Sequence, residues 1–187
     1  GMRVLRQDPW ECLISFICSS ASNISRITGN VESICAAFGR PIEMEVPVRH
    51  SFPTPHELAR AGAAALRRLG LGYRAEYIAA TARTVAAGDT ELMSLREDSY
   101  DHALEALTAL DGVGDKVANC ILLFSLDKLE AFPVDVWIER ALQRLYFPKR
   151  RPSAKRLRKF ADTHFGPYAG YAQQYLFHYA RVHLKLK

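Results

Sequence analysis

An all-α fold is what this sequence predicts, and three observations carry the prediction. Apolar residues recur at helical spacing, as Tyr100, Ala103, Leu104, Leu107 and Leu110 do at i, i+3, i+4 and i+7. Helix starts are spelled out. Asp8-Pro9-Trp10-Glu11 offers an N-cap, a proline at the first helical position and an acid at the third, and Thr54-Pro55-His56-Glu57 repeats that grammar as a capping box. Strand signals are weak: residues 41–53, with three prolines and mixed polarity, read as a loop with at most a short strand.

The elements follow in order. A first helix starts at Pro9. A second runs from Pro55 to about Arg68 and stops at Gly70. After Leu71-Gly72 another begins near Tyr73 and ends near Gly88. The helix over 100–110 is broken by Asp111-Gly112-Val113-Gly114-Asp115, and Val117, Cys120, Ile121 and Phe124 then restart the spacing: helix, tight glycine turn, helix. The next begins around Pro133-Val134-Asp135 and reaches about Tyr146, and the last runs from near Pro167 almost to the end. Between them the basic stretch from Lys149 to Lys159 reads equally as a solvated linker or as a phosphate contact. Asp127-Lys128-Leu129-Glu130 is a charged turn with no assigned role. No internal repeat or low-complexity stretch stands out.

Composition bounds the function. At 187 residues the chain is one domain, or one domain folded as two lobes, and it can bury a core without staples. Its 49% hydrophobic and 24% charged residues exclude a disordered chain. No run approaches the ~18 apolar residues of a membrane span, so no membrane partner is expected. Gly1 ahead of Met2 reads as a cloning remnant. The net charge of +5 favours a polyanionic partner, although a pI near 9.1 also fits many enzymes. Cys12, Cys18, Cys35 and Cys120 form no C-x-x-C pair, which argues against a zinc knuckle or an iron–sulfur cluster and for a reduced, intracellular setting. The six histidines make no H-x-x-x-H pattern.

The chemistry gathers around the glycine turn. Gly112 and Gly114 let the backbone turn sharply and leave main-chain N–H groups open at a helix N-terminus, where the dipole favours anions. Val113 between them can anchor the turn. Such a turn holds a DNA backbone without reading sequence, but an ordinary αα-hairpin has the same glycines. Lys116 lies in the first turn after it, on one face with Cys120. A lysine there pairs with phosphate or attacks an electrophile. To attack it must be neutral, and lowering a free value near ~10.4 by about three units costs roughly 4 kcal/mol. Burial and the helix N-terminus both push that way. Asp135 stands at a helix start, as an N-cap or as a carboxylate that stabilises developing positive charge, and the two roles are compatible.

At this point the residues resemble a known family. Leu110-Asp111-Gly112-Val113-Gly114-Asp115-Lys116-Val117-Ala118, followed by Val134-Asp135-Val136, looks like the helix-hairpin-helix/Gly-Pro-Asp superfamily of base-excision DNA glycosylases. Leu5-Arg6-Gln7-Asp8-Pro9, Phe16-Ile17-Cys18-Ser19-Ser20, Arg26-Ile27-Thr28-Gly29, Leu69-Gly70-Leu71-Gly72-Tyr73-Arg74-Ala75 and Gly166-Pro167-Tyr168-Ala169-Gly170 resemble its eukaryotic-type 8-oxoguanine DNA glycosylase/lyases.

The resemblance implies two helical lobes with the active-site cleft between them. Residues 2–187 would form one domain, with a barrel lobe over about 23–130 holding the hairpin at 98–125. The N-terminal helix and about 131–187 would make the second lobe. Lys116 would attack C1′ of the damaged nucleotide and form a Schiff base, with β-elimination nicking the strand. Asp135 would stabilise the cationic sugar. Cys120 and Phe177 would sandwich the flipped base, Gln173 would read its Watson–Crick edge, and Phe124 and Phe16 would line the pocket. Arg26 and Arg74 would hold the orphaned cytosine while Tyr73 wedges into the duplex. Backbone carbonyls of Thr108, Leu110 and Val113 would hold a structural monovalent or divalent cation; no cofactor is implied for catalysis. The implied partner is double-stranded DNA with a damaged base, 8-oxoguanine opposite cytosine, met by a monomer in the nucleoid, nucleus or mitochondrion. Base flipping explains the parts list, because C1′ is inaccessible in a stacked duplex. Read without the resemblance, Tyr73 and Phe177 are core aromatics and Gln173 is a helix-surface residue.

Three positions depart from the family pattern. Ala21 stands where the family has the asparagine that fills the hole left by the flipped base, with Asn23 as the nearest substitute. Trp137 stands where a histidine usually follows Asp135 by two, and could stack against DNA. The family also carries a sheet domain ahead of Leu5 that supplies a carbonyl to the N7 proton of 8-oxoguanine, whereas this sequence holds the helical unit. A related glycosylase with another lesion preference, and a non-catalytic helix-hairpin-helix DNA-binding module, are the alternatives.

Overall fold

The computed structural model describes residues 1–43, 48–148 and 152–184. Nine α-helices lie among the described residues: α1 (Pro9–Cys18), α2 (Ile24–Phe38), α3 (Pro55–Leu66), α4 (Arg74–Ala87), α5 (Tyr100–Thr108), α6 (Asp115–Ser125), α7 (Val136–Tyr146), α8 (Ala154–Phe165) and α9 (Ala169–Val182). The weak strand signal after α2 becomes a two-residue antiparallel pair, β1 (Pro41–Ile42) with β2 (Arg49–His50), in the register Pro41 to His50.

The starts expected from sequence are capped as their residues dictate. Asp8 Oδ1 accepts from Glu11 N at 2.9 Å, and Thr54 and Glu57 exchange both bonds of a capping box. That exchange holds the Glu57 carboxyl below its ordinary range, chiefly through the Thr54 N–H. The end of α3 differs from expectation. It passes at Leu66 into a π-helical turn, Arg67–Leu71, in which Gly70 takes a left-handed φ of 82°.

Two cores form. The larger joins α1 to α6 around Leu13, Ile14, Ile17, Ile78, Leu107 and Ile121. The second joins α7, α8 and α9 around Phe132, Ile138, Leu142, Leu157 and Ala169, with Phe132 stacked on Phe165 at 5.7 Å. The N-terminal helix therefore belongs with the first core and not with the second lobe. Its apolar face, from Cys12 to Cys18, is fully buried there. The segment ahead of it reaches across, where Met2 N donates to Tyr175 Oη at 3.3 Å.

The basic stretch is corrected too. Residues 154–165 are the helix α8, not a linker, because Leu157 and Ala161 recur four apart and are buried. Lys149-Arg150-Arg151 lie outside the described residues. The charged turn at 127–130 also acquires a place. Lys128 is 9% exposed, and its Nζ donates to the carbonyls of Arg96 and Asp98 at 2.7 and 2.5 Å.

The two cores meet at the start of α9. Gly170 N donates to Leu129 O at 2.8 Å. A Cβ on Gly170 would run into the Leu123 side chain and sit 2.9 Å from the carbonyl oxygens of Leu129 and Ala131. Gly170→Ala is therefore expected to lift α9 and cost about 1–3 kcal/mol, the range for overpacking a tight site. A urea midpoint unchanged from wild type would contradict this contact.

Candidate active site

A cleft of about 870 Å³ opens between the two cores. One wall is the α1–α2 turn, Ser19 to Asn23. The floor carries Lys116 from α6, and the far wall carries Asp135 and Trp137 at the head of α7 with Phe177 from α9. Lys116 and Asp135, 19 positions apart in sequence, thus face one space.

The glycine turn explains how Lys116 is presented. Gly112 has φ +76°, and a Cβ there would lie 2.6 Å from Cβ of Tyr77, so both conformation and contact require glycine. Val113 is buried, and Thr81 Oγ1, wholly buried on α4, donates to Asp111 O at 2.8 Å. Gly114 is different. It is the N-cap of α6 without any side-chain cap, and a Cβ there would meet nothing within 4 Å. The first amides of α6 therefore look onto open space beside an unobstructed glycine, which suits an anion. Of the carbonyls expected to hold a cation, that of Leu110 accepts from Val113 N at 3.2 Å; those of Thr108 and Val113 close no turn bond among the described residues.

Lys116 is half-buried. Its Nζ donates to Ser19 Oγ at 3.3 Å and sits 5.2 Å from the centre of the Phe16 ring, which stacks on Phe124 at 5.7 Å. Ser19 is a site residue that sequence reading quoted only inside a motif. Cys120, one turn below, is 4% exposed. Burial pushes its thiol up to about 11, with Asp135 adding to the rise, against the Lys116 ammonium, which hydrogen-bonds to it and lowers it. At neutral pH Cys120 is thus a protonated thiol, buried beneath Lys116 and not among the residues that line the cleft, and Lys116 is the amine available to an electrophile.

Asp135 is an N-cap: its Oδ1 accepts from Ile138 N at 2.8 Å. Its segment is tied down by two buried polar side chains. Gln173, 4% exposed rather than on the helix surface, donates from Nε2 to Pro133 O at 3.0 Å. Asn119 Oδ1 accepts from Tyr100 Oη at 2.8 Å and Phe132 N at 3.3 Å, while its Nδ2 donates to Asp115 O. One residue thus joins α5, α6 and the approach to Asp135.

The remaining expected residues spread over the same side. Tyr73 is 52% exposed and not a core aromatic; it stands edge-on to Tyr77 at 6.0 Å, the residue under Gly112. Arg74 is 3% exposed, and its guanidinium donates to the carbonyls of Ser20 and Ala21, so it clamps the α1–α2 turn. Arg26 is exposed, and Asn23 caps α2 by accepting from Arg26 N at 3.0 Å. Trp137 is 38% exposed in the cleft. Arg158 of α8 pairs with Asp115 beside the hairpin. Arg181, which sequence reading missed, lines the cleft next to Phe177.

All four cysteines are free thiols. No group of three or more His, Cys, Asp or Glu side chains converges among the described residues, and no described helix is long and apolar enough to cross a membrane. Burial pushes Cys12 and Cys18 up to about 12, from an ordinary value near 9. Folding holds these thiols protonated where the unfolded chain ionises. Their contribution to stability is therefore full below pH 9 and lost as pH rises toward 11–12. The urea midpoint is expected to fall between pH 8 and 10.5, and a flat profile would contradict the burial.

Comparison with known proteins identifies the family and the fold. The profile of the HhH-GPD superfamily base excision DNA repair proteins matches residues 14–166. The N-glycosylase/DNA lyase of Saccharomyces cerevisiae is 46% identical over 158 residues, 78% of this chain and 42% of that protein. The N-glycosylase/DNA lyase OGG1 of Arabidopsis thaliana is 40% identical over 95% of this chain and 51% of that protein. The chain thus spans about half the length of these relatives. Among solved structures, Clostridium acetobutylicum 8-oxoguanine glycosylase/lyase, in complex with double-stranded DNA containing cytosine opposite 8-oxoguanine, superposes with a TM-score of 0.92. It is 37% identical, over 97% of this chain and 62% of that one.

Proposed function

The chain belongs to the HhH-GPD superfamily of base excision DNA repair proteins, and from that membership we propose that it is a DNA glycosylase with AP lyase activity. The substrate we assign is an oxidised purine, 8-oxoguanine opposite cytosine, in double-stranded DNA. One observation carries the reading: a lysine and a carboxylate from separate elements face one cleft, beside an uncapped helix start suited to phosphate. Phosphate binding alone would account for the lysine but not for the carboxylate, which would oppose it.

The Lys116 Nζ lone pair forms the bond to C1′ as the glycosidic bond breaks; the departing base takes the glycosidic bonding pair, and the alkylated Nζ releases the proton that neutralises it. Asp135, held as an acceptor by Ile138 N–H, faces the positive charge that grows on the sugar. Ring opening gives a Schiff base, and loss of a C2′ proton then expels the 3′ phosphate. Phe177 offers a stacking face, and the neutral Cys120 thiol would offer an apolar one and Gln173 a polar edge at depth. Asn23, Arg26, Tyr73, Arg74 and Trp137 would meet the duplex, and Gly112, Val113 and Gly114 its phosphates. For Arg74 to hold the orphaned cytosine it must exchange the Ser20 and Ala21 carbonyls for the base. The carbonyls of Thr108, Leu110 and Val113 would hold a structural cation that bridges to a phosphate. Such an activity belongs in a compartment that holds DNA.

Borohydride trapping tests this. The protein is expected to form a covalent adduct with duplexes carrying an abasic site or 8-oxoguanine opposite cytosine. No adduct on an abasic site would rule out the lyase. An adduct there, with excision only of other oxidised bases, would move the assignment to a related glycosylase.

A further inference from the structure

Gln173, Phe177 and Arg181 recur every four residues along α9, so they stand one above another on a single helix face. That face grades from floor to rim. Gln173 is buried and tied to Pro133 O, Phe177 is half-buried, and Arg181 is exposed. The guanidinium carbon of Arg181 lies 5.5 Å from the centre of the Phe177 ring, and among the described residues it makes no ion pair. We propose that Arg181 holds a backbone phosphate of the DNA strand that enters the cleft, a contact that rests on the DNA reading above.

Charge carries the argument. The charged side chains lining the cleft are Lys116, Asp135, Glu139 and Arg181. Neither acid can receive a phosphate. Lys116 sits at the floor with its Nζ on Ser19 Oγ and is the group assigned to the sugar, so it is not the counter-charge at the mouth. Among the described residues lining the cleft Arg181 is the other cation, and a guanidinium stays protonated at any working pH. Position agrees with charge. An extruded nucleotide carries its base deepest, its sugar at the level of the reacting groups and its phosphates at the mouth. A planar fork of donors at the rim suits paired phosphate oxygens. The Phe177 ring beneath it limits the guanidinium's freedom, which lowers the entropy lost on binding.

The test measures affinity against salt, using a fluorescein-labelled duplex with a tetrahydrofuran abasic analogue opposite cytosine. Arg181→Gln is expected to weaken binding about tenfold or more at low salt. The slope of log K against log salt should fall by about one. Arg181→Lys should retain the slope. Below saturation, nicking of an abasic site and excision of 8-oxoguanine should fall by the same factor in Arg181→Gln. An unchanged slope, even with weaker binding, would overturn the proposal in favour of packing on Phe177. A loss confined to 8-oxoguanine with abasic nicking intact would overturn it in favour of base reading. If wild type itself shows no salt dependence, the DNA reading falls and this contact with it.

Discussion

Lys116→Gln is expected to yield no borohydride-trapped adduct on any duplex, abasic site included. Base excision should fall by on the order of 10⁴-fold or more, the scale of removing a nucleophile. The argument rests on what else the cleft offers. The neighbouring Cys120 thiol is pushed up to about 11 and stays protonated at neutral pH, so it cannot take over. Glutamine is one atom shorter but keeps most of the apolar stem and an N–H donor on the side of Ser19, so fold and DNA affinity should be nearly retained. An adduct that persists would place the nucleophile on another amine.

Asp135→Asn separates two roles that one carboxylate fills. Asparagine caps helices as well as aspartate does, so Ile138 N–H keeps its acceptor and the urea midpoint should barely move. The negative charge is lost, and excision should drop by about 10²–10³-fold, as when one preorganised electrostatic partner is removed. Asp135→Ala removes the cap as well, at about 1 kcal/mol of stability. If Asn and Ala variants lose activity equally through unfolding, capping is the whole role.

Much of the fold was legible because it is written in local grammar. The caps at Asp8, Thr54 and Asp135 and the break at Gly112–Gly114 each depend on residues within one turn. What the sequence hid is long-range. Helix α2 carries few fully buried positions, Asn30 and Ile34, so its apolar stripe is faint. The charge density of α8 masked Leu157 and Ala161. The buried polar ties of Asn119, Gln173 and Arg74 reach partners 13, 40 and 54 positions away, a separation that no local pattern encodes. Arg181 was reachable, since it continues the Gln173–Phe177 spacing by one more step.

The junction at Gly170 bears on mechanical compliance. It is main chain against main chain, Gly170 N on Leu129 O, with no room for even a methyl group. A side-chain hinge can swing through rotamers, but a joint of this kind has no slack of that sort. The gap between the Lys116 wall and the Phe177 wall is therefore pinned at one end, and serves as a gauge. A stiff ligand that is to reach Lys116 must bend to that gauge. For a duplex of ordinary stiffness the bending costs about 1–6 kcal/mol. On the DNA reading proposed above, sites already weakened in stacking, as at a lesion, would meet the gauge at the lower end of that range, and the rigidity of one glycine contact would act as a filter on which DNA gets in.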